Sequence, residues 1–187
     1  MMSRADVWGV RPAEQLSPYP CDVIAPTHSR RRLRGVDIDA PTDVVYRWLC
    51  QLRAAPYSYD LVDNKGHRSP RVPLPWCWDL EIGQSVCNVF TLESFQFNEH
   101  LTIKTSPRGA ELFGDVATTY QVAARGRQHS RLLAVVCYPT PTTSLQRLKS
   151  WLLGWGNLVM MRKQLRTLGR LAAAEHAASG EASSATA

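Results

Sequence analysis

The chain has 187 residues, 44% hydrophobic and 20% charged, with 22 Lys and Arg against 16 Asp and Glu and a net charge of +6. That length suits one domain, and the apolar fraction excludes wholesale disorder. No apolar run approaches the ~20 residues that span a bilayer and residues 1–15 hold no signal-like stretch, so a soluble, cytoplasmic protein is expected.

Residues 1–30 carry Pro12, Pro18, Pro20 and Pro26 and read as an extended or disordered N-terminal arm. Arg30-Arg31-Arg32-Leu33-Arg34 follows, read as the solvated start of a strand that also offers contact to phosphate or an anionic membrane. A strand is predicted over about 32–38. Asp39-Ala-Pro-Thr-Asp43 is helix-start chemistry, and Val44, Val45, Trp48, Leu49 and Leu52 give the apolar stripe of a first helix that Pro56 ends. A second short helix is predicted over about 58–64, stopped by Gly66. Pro70, Pro73 and Pro75, with Trp76 and Trp78, make residues 67–79 an aromatic loop.

From Gln84 the pattern turns to short β runs: 86–90, 92–97, 101–105, a longer one over 112–124, and 131–138. Tight turns at Asn98-Glu99 and Arg125-Gly-Arg127 make this an antiparallel meander. Leu148, Trp151, Trp155, Leu158, Met161, Leu165, Leu168 and Leu171 then recur near the 3.6 period of a long helix over about 144–175, where Gly154 and Gly156 invite a kink or a break. The small polar residues 176–187 read as a disordered tail. Residues 31–175 thus form one α+β domain. Six to seven antiparallel strands need one face covered, and the last helix is the only element long enough to do it.

These elements and several local motifs resemble the START-like, or SRPBCC, superfamily of polyketide cyclase/dehydrase and lipid-transport proteins. Val36 to Leu49 is similar to its strand, Ala-Pro, first-helix opening. Tyr57-Ser-Tyr-Asp-Leu-Val-Asp-Asn64 is similar to a segment of one bacterial subgroup, and Leu80-Glu-Ile-Gly83 resembles a strand lead-in. Ala117-Thr-Thr-Tyr120, Ser130-Arg-Leu-Leu133 and Met160-Met-Arg-Lys-Gln-Leu165 resemble later stretches of the same family. The resemblance implies a helix-grip fold: a curved sheet clasping the C-terminal helix, two short helices after the first strand, and a hydrophobic cavity between sheet and helix.

Ring-bearing and apolar side chains are expected to line that cavity: Trp76, Trp78, Phe90, Phe97, Tyr120 and Tyr138 from the sheet side, and Trp155, Met161 and Leu165 from the helix. Tyr57, Tyr59 and Asn64 complete the expected binding set. Asp60 and Arg131 are the residues able to do acid/base work or pair a carboxylate; the alternative for each is a purely structural role. The sequence carries no nucleophile elbow and no phosphate-binding or dinucleotide glycine motif. Its five cysteines and five histidines have no metal-ligand spacing. Neither cofactor nor metal is therefore expected, and no nucleic-acid partner. The expected function is binding of a lipid, isoprenoid or polyketide-like small molecule, with a polyketide aromatase/cyclase as the alternative. The basic arm and helix face offer a weak contact to an anionic membrane or acidic partner.

Overall fold

The computed structural model describes residues 5–25, 29–59 and 66–184, with side chains through Glu181. Seven strands build one curved, unclosed sheet: β1 (Val7–Trp8), β2 (Ser29–Ile38), β3 (Ser85–Val86), β4 (Phe90–Gln96), β5 (His100–Thr105), β6 (Ala117–Ala124) and β7 (Ser130–Pro139). Their spatial order is β1-β2-β7-β6-β5-β4-β3. All pairings are antiparallel except β1 on β2.

The two-residue period of a strand decides which side chains face inward. Arg32, Arg34 and Ile38 of β2 meet the long helix α5 (Ser144–Ser184), through Ser150, Asn157 and Gly169 respectively. The register carries this inner face to Leu132, Ala134, Val136 and Tyr138 of β7, then to Thr118, Tyr120 and Val122 of β6. Helix α3 (Thr42–Cys50) closes one end with Val45, Trp48 and Leu49, and the second half of α5 adds Met161, Leu165, Leu168 and Ala172 to the same core. Glu175 fastens the two helices: it accepts from Trp48 Nε1 at 2.7 Å and pairs with Arg47 at 3.0 Å. The result is a helix grip.

Where the composition suggests a loose arm, residues 5–25 are ordered. They add β1 to the sheet edge and form two one-turn helices, α1 (Pro12–Leu16) and α2 (Pro20–Ile24). The prolines start these helices rather than preventing them, because a first-turn residue needs no N–H partner. Glu14 and Asp22 then accept the backbone N–H groups of Arg11 and Tyr19, each at 2.7 Å. Tyr19 and Cys21 cover Leu33, Ala117, Val135 and Cys137, so the outer face of the sheet has a second apolar core. The five cysteines are free thiols, and those of Cys21 and Cys137 lie 3.5 Å apart in this outer core.

The arginine run is not a solvated strand start either, since Arg32 and Arg34 are buried. Arg34 donates to the carbonyls of Asp6 (2.7 Å), Ala5 (2.6 Å) and Leu33 (2.9 Å). Burial, with Arg32 beside it, pulls its pKa down to about 10, which leaves it charged at neutral pH.

Three further boundaries differ from expectation. Residues 107–113 form helix α4 (Pro107–Phe113), which takes Leu112 and Phe113 from the start of the strand expected over 112–124. Ser106 caps it by accepting the Gly109 N–H at 3.2 Å, Pro107 opens it, and Gly114 at φ 82° ends it. Helix α5 is unbroken at Gly154 and Gly156 and runs through the expected tail as far as Ser184, carried by its alanines. Ser58 and Tyr59 are not helical, and the rest of the predicted second short helix, 60–65, lies outside the described residues.

Candidate functional site

Helix α5 packs chiefly on β2 and α3, so its first half stands away from the inner face of the central strands. Between them lies a hollow of about 960 Å³. Phe90, Ile103, Thr118, Tyr120, Val136 and Tyr138 line it from the sheet, and Leu153, Met160, Met161 and Gln164 from α5. Leu112 and Phe113 of α4 and Leu152 of α5 line it while remaining exposed, so they form its mouth. The volume is at the upper end of small-molecule sites, and an apolar lining with few fixed polar groups is their usual make-up.

Several of the polar groups in the lining are held by neighbours. The Arg32 guanidinium stacks on the Tyr138 ring at 3.7 Å and donates to Ser150 O at 2.7 Å. Its Nε lies 3.4 Å from Asp6 Oδ1. Gly154 makes room for this group on the helix, because a Cβ there would sit 3.1 Å from Arg32 Nη2. Farther in, the Tyr120 hydroxyl donates to Gln164 Oε1 at 2.8 Å, and Gln164 Nε2 donates to the Pro56 carbonyl at 2.7 Å. Burial raises the Tyr120 pKa, so the phenol is a neutral donor at physiological pH. Among the described lining residues the charges are Arg32 and Lys149, both positive. The site is therefore a largely apolar chamber with a buried arginine in its wall and a neutral hydrogen-bonded bridge between sheet and helix.

Of the residues the sequence singles out, the fold brings Phe90, Tyr120, Tyr138 and Met161 to this hollow. It places the other described ones elsewhere. Tyr57, at φ 55°, is buried edge-on against Trp48 in the main core, and Leu165 is buried there too. Trp78 packs half-buried beside Arg47, and Trp76 lies exposed beside Arg53. Phe97 is exposed at the β4–β5 turn against Tyr46 and Phe95, and Tyr59 is exposed. Trp155 points to solvent in an edge-on pair with Trp151. Asp60 and Asn64 lie outside the described residues.

Arg131 faces outward from the sheet, away from the hollow. It is only 3% exposed, donates to both Glu14 carboxylate oxygens at 2.8 and 2.9 Å, and also bonds the Gly9 carbonyl. Burial opposes ionisation of Glu14, but hydrogen bonds from Arg131 and Arg11 and their charges outweigh it and hold the carboxyl below its ordinary value of 4.5. Arg131 thus fastens the N-terminal segment. Arg32, Thr118 and Gln164 are lining residues that the sequence reading missed. Arg32 had a usable signal: it shares the odd–even phase of Ile38, which puts it on the core side of β2.

No family model and no curated protein matches the chain. Solved structures do. CalU16 from Micromonospora echinospora is 15% identical at a TM-score of 0.40, covering 80% of this chain and 88% of its own. A Thermobifida fusca protein is 17% identical at 0.46, covering 75% and 94%. A point mutant of norcoclaurine synthase from Thalictrum flavumn, in complex with a transition-state analogue, is 11% identical at 0.47, covering 79% and 97%.

Proposed function

We propose that the protein holds a hydrophobic small molecule of lipid, isoprenoid or polyketide type in the hollow beneath α5, with the ligand's polar end toward Arg32. The single observation carrying this reading is the hollow itself: about 960 Å³ of space under the first half of a helix whose second half is closely packed. An empty apolar chamber forgoes dispersion contacts and burial that a guest would supply, at roughly 25 cal/mol per Å² of apolar surface. Arg32 is offset by one carboxylate at 3.4 Å, stacked on one ring and bonded through Nη2 to Ser150, which leaves Nη1 to meet a carboxylate, phosphate or phenolate in the hollow. The cationic lining and the neutral Tyr120 support retention of a guest more than acid/base turnover of it.

Native mass spectrometry of gently purified protein, followed by organic extraction, tests this. A discrete apolar adduct that leaves on extraction and can be restored is the expected result. Protein that is empty in every preparation, and that takes up neither fatty acids nor flat aromatic probes, contradicts the reading.

A further inference from the structure

Across the first half of α5, Leu145, Leu148, Trp151, Leu152, Trp155 and Val159 are all exposed, Leu145 at 77% and Trp151 at 57%. At 100° per residue they fall in one arc of about 120°, the width of a stripe that ordinarily faces a core. The same arc continues with Arg162, Lys163, Arg166 and Arg170, again all exposed. Trp8 lies against two of them, 5.3 Å from the Arg162 guanidinium and 5.2 Å from that of Arg166. Helix α5 has no acidic residue before Glu175. One face of one rigid helix thus runs from apolar to strongly basic with no carboxylate of its own.

From this we infer that the α5 face docks on an anionic lipid surface, Trp and Leu entering the interface and the arginines and lysine lying over the headgroups. Charge selects this occupant. A second copy paired on the stripe would cover its apolar half and offer the basic continuation no counter-charge, whereas an anionic bilayer meets both halves: an apolar layer for the stripe and negative headgroups for its basic continuation. No described helix is long and apolar enough to span such a bilayer. Leu152 belongs to both the stripe and the mouth of the hollow, so docking would seat the mouth at the lipid boundary. The inference stands on the helix surface and goes beyond the binding reading.

Flotation with vesicles of phosphatidylcholine alone, and of equimolar phosphatidylcholine and phosphatidylglycerol, tests it on the full chain. The protein should float with the anionic vesicles, at least tenfold less with the neutral ones, and should be released by added salt. Tryptophan emission should shift to the blue on binding. Leu148→Glu with Trp151→Glu, and separately Lys163→Glu with Arg170→Glu, should each cut flotation about tenfold while uptake of the neutral probe N-phenyl-1-naphthylamine in free solution stays unchanged; none of the four lines the hollow. Failure of the wild type to float, equal flotation with neutral vesicles, or variants that float like the wild type would each overturn the inference. So would a concentration-dependent dimer that the stripe variant abolishes without any vesicle binding. Flotation by a chain that takes up no small molecule would sink the binding reading and leave this one standing.

Discussion

Arg32 and Arg131 sit on neighbouring strands and face opposite ways, and their environments give them different work. Arg131 is satisfied by one bidentate carboxylate and a carbonyl, so it holds structure together. Arg32 stands at the wall of the hollow with a ring, a backbone carbonyl and a partly offset charge. Substituting Arg32→Met should weaken binding of the anionic probe 1-anilinonaphthalene-8-sulfonate about tenfold or more, because a charge-assisted contact is worth ~1.5–3 kcal/mol. The neutral parent N-phenyl-1-naphthylamine should change about twofold at most; parallel titrations of the two probes check this. In the floor, Gln164→Leu should cost about 1–3 kcal/mol in urea unfolding, since it strands the Tyr120 hydroxyl and the Pro56 carbonyl.

The same scale fixes a pH dependence. Glu14 has a depressed pKa in the folded protein, so its contribution to stability is fully present above the ordinary 4.5 and drains away as pH falls through the lowered folded value. Limited proteolysis of the N-terminal segment between pH 6 and 3 should show increasing cleavage toward the acid end. Glu14→Gln should be cleaved readily across the whole range.

At the scale of elements, the N-terminal segment depends on close backbone approach between β1 and β2. Gly35 lies against Gly9 and the Arg131 guanidinium, and a Cβ at Gly35 would sit 2.9 Å from the Gly9 carbonyl oxygen while colliding with Arg131. Gly35→Ala should therefore destabilise by about 2–3 kcal/mol, read as a lower thermal midpoint, and expose the segment to protease. This element is where sequence reading was weakest. Four prolines suggested an arm, but the first-turn positions of two of them, Pro12 and Pro20, and the carboxylate two residues after each give helix starts. The cover they build is non-local: Cys21 donates its N–H to Thr119, 98 residues away, and no pattern within residues 1–30 encodes that. Helix α4 was legible in principle, as Ser106-Pro107 is a cap followed by a helix opener. α3, the meander and the amphipathic second half of α5 were legible because their periods repeat over several turns or strand lengths.

At the scale of the molecule, sheet and helix meet tightly at one end and part at the other, and that divergence creates the site. Periodicity could identify α5 over 144–175, though not its continuation to Ser184. It could not show that residues 145–159 leave the core, because an apolar stripe reads alike whether it packs or not. For that reason Trp155 was expected inside the hollow along with Met161, yet only Met161, six residues farther on, lines it. Aromatic content alone was a poor guide: Trp76 and Phe97 lie outside, and the chamber is walled by residues set by strand phase.

Titration of 1-anilinonaphthalene-8-sulfonate into wild type and Val136→Phe decides whether the hollow takes a guest. Val136 lines the hollow from the inner face of central strand β7, so a phenyl group there fills space that a guest would need. One saturable site in the wild type, weakened at least tenfold in the variant while near-UV circular dichroism and thermal midpoint are retained, is what a guest chamber under α5 requires. Equal binding to both proteins, or no saturable binding to the wild type, would contradict it.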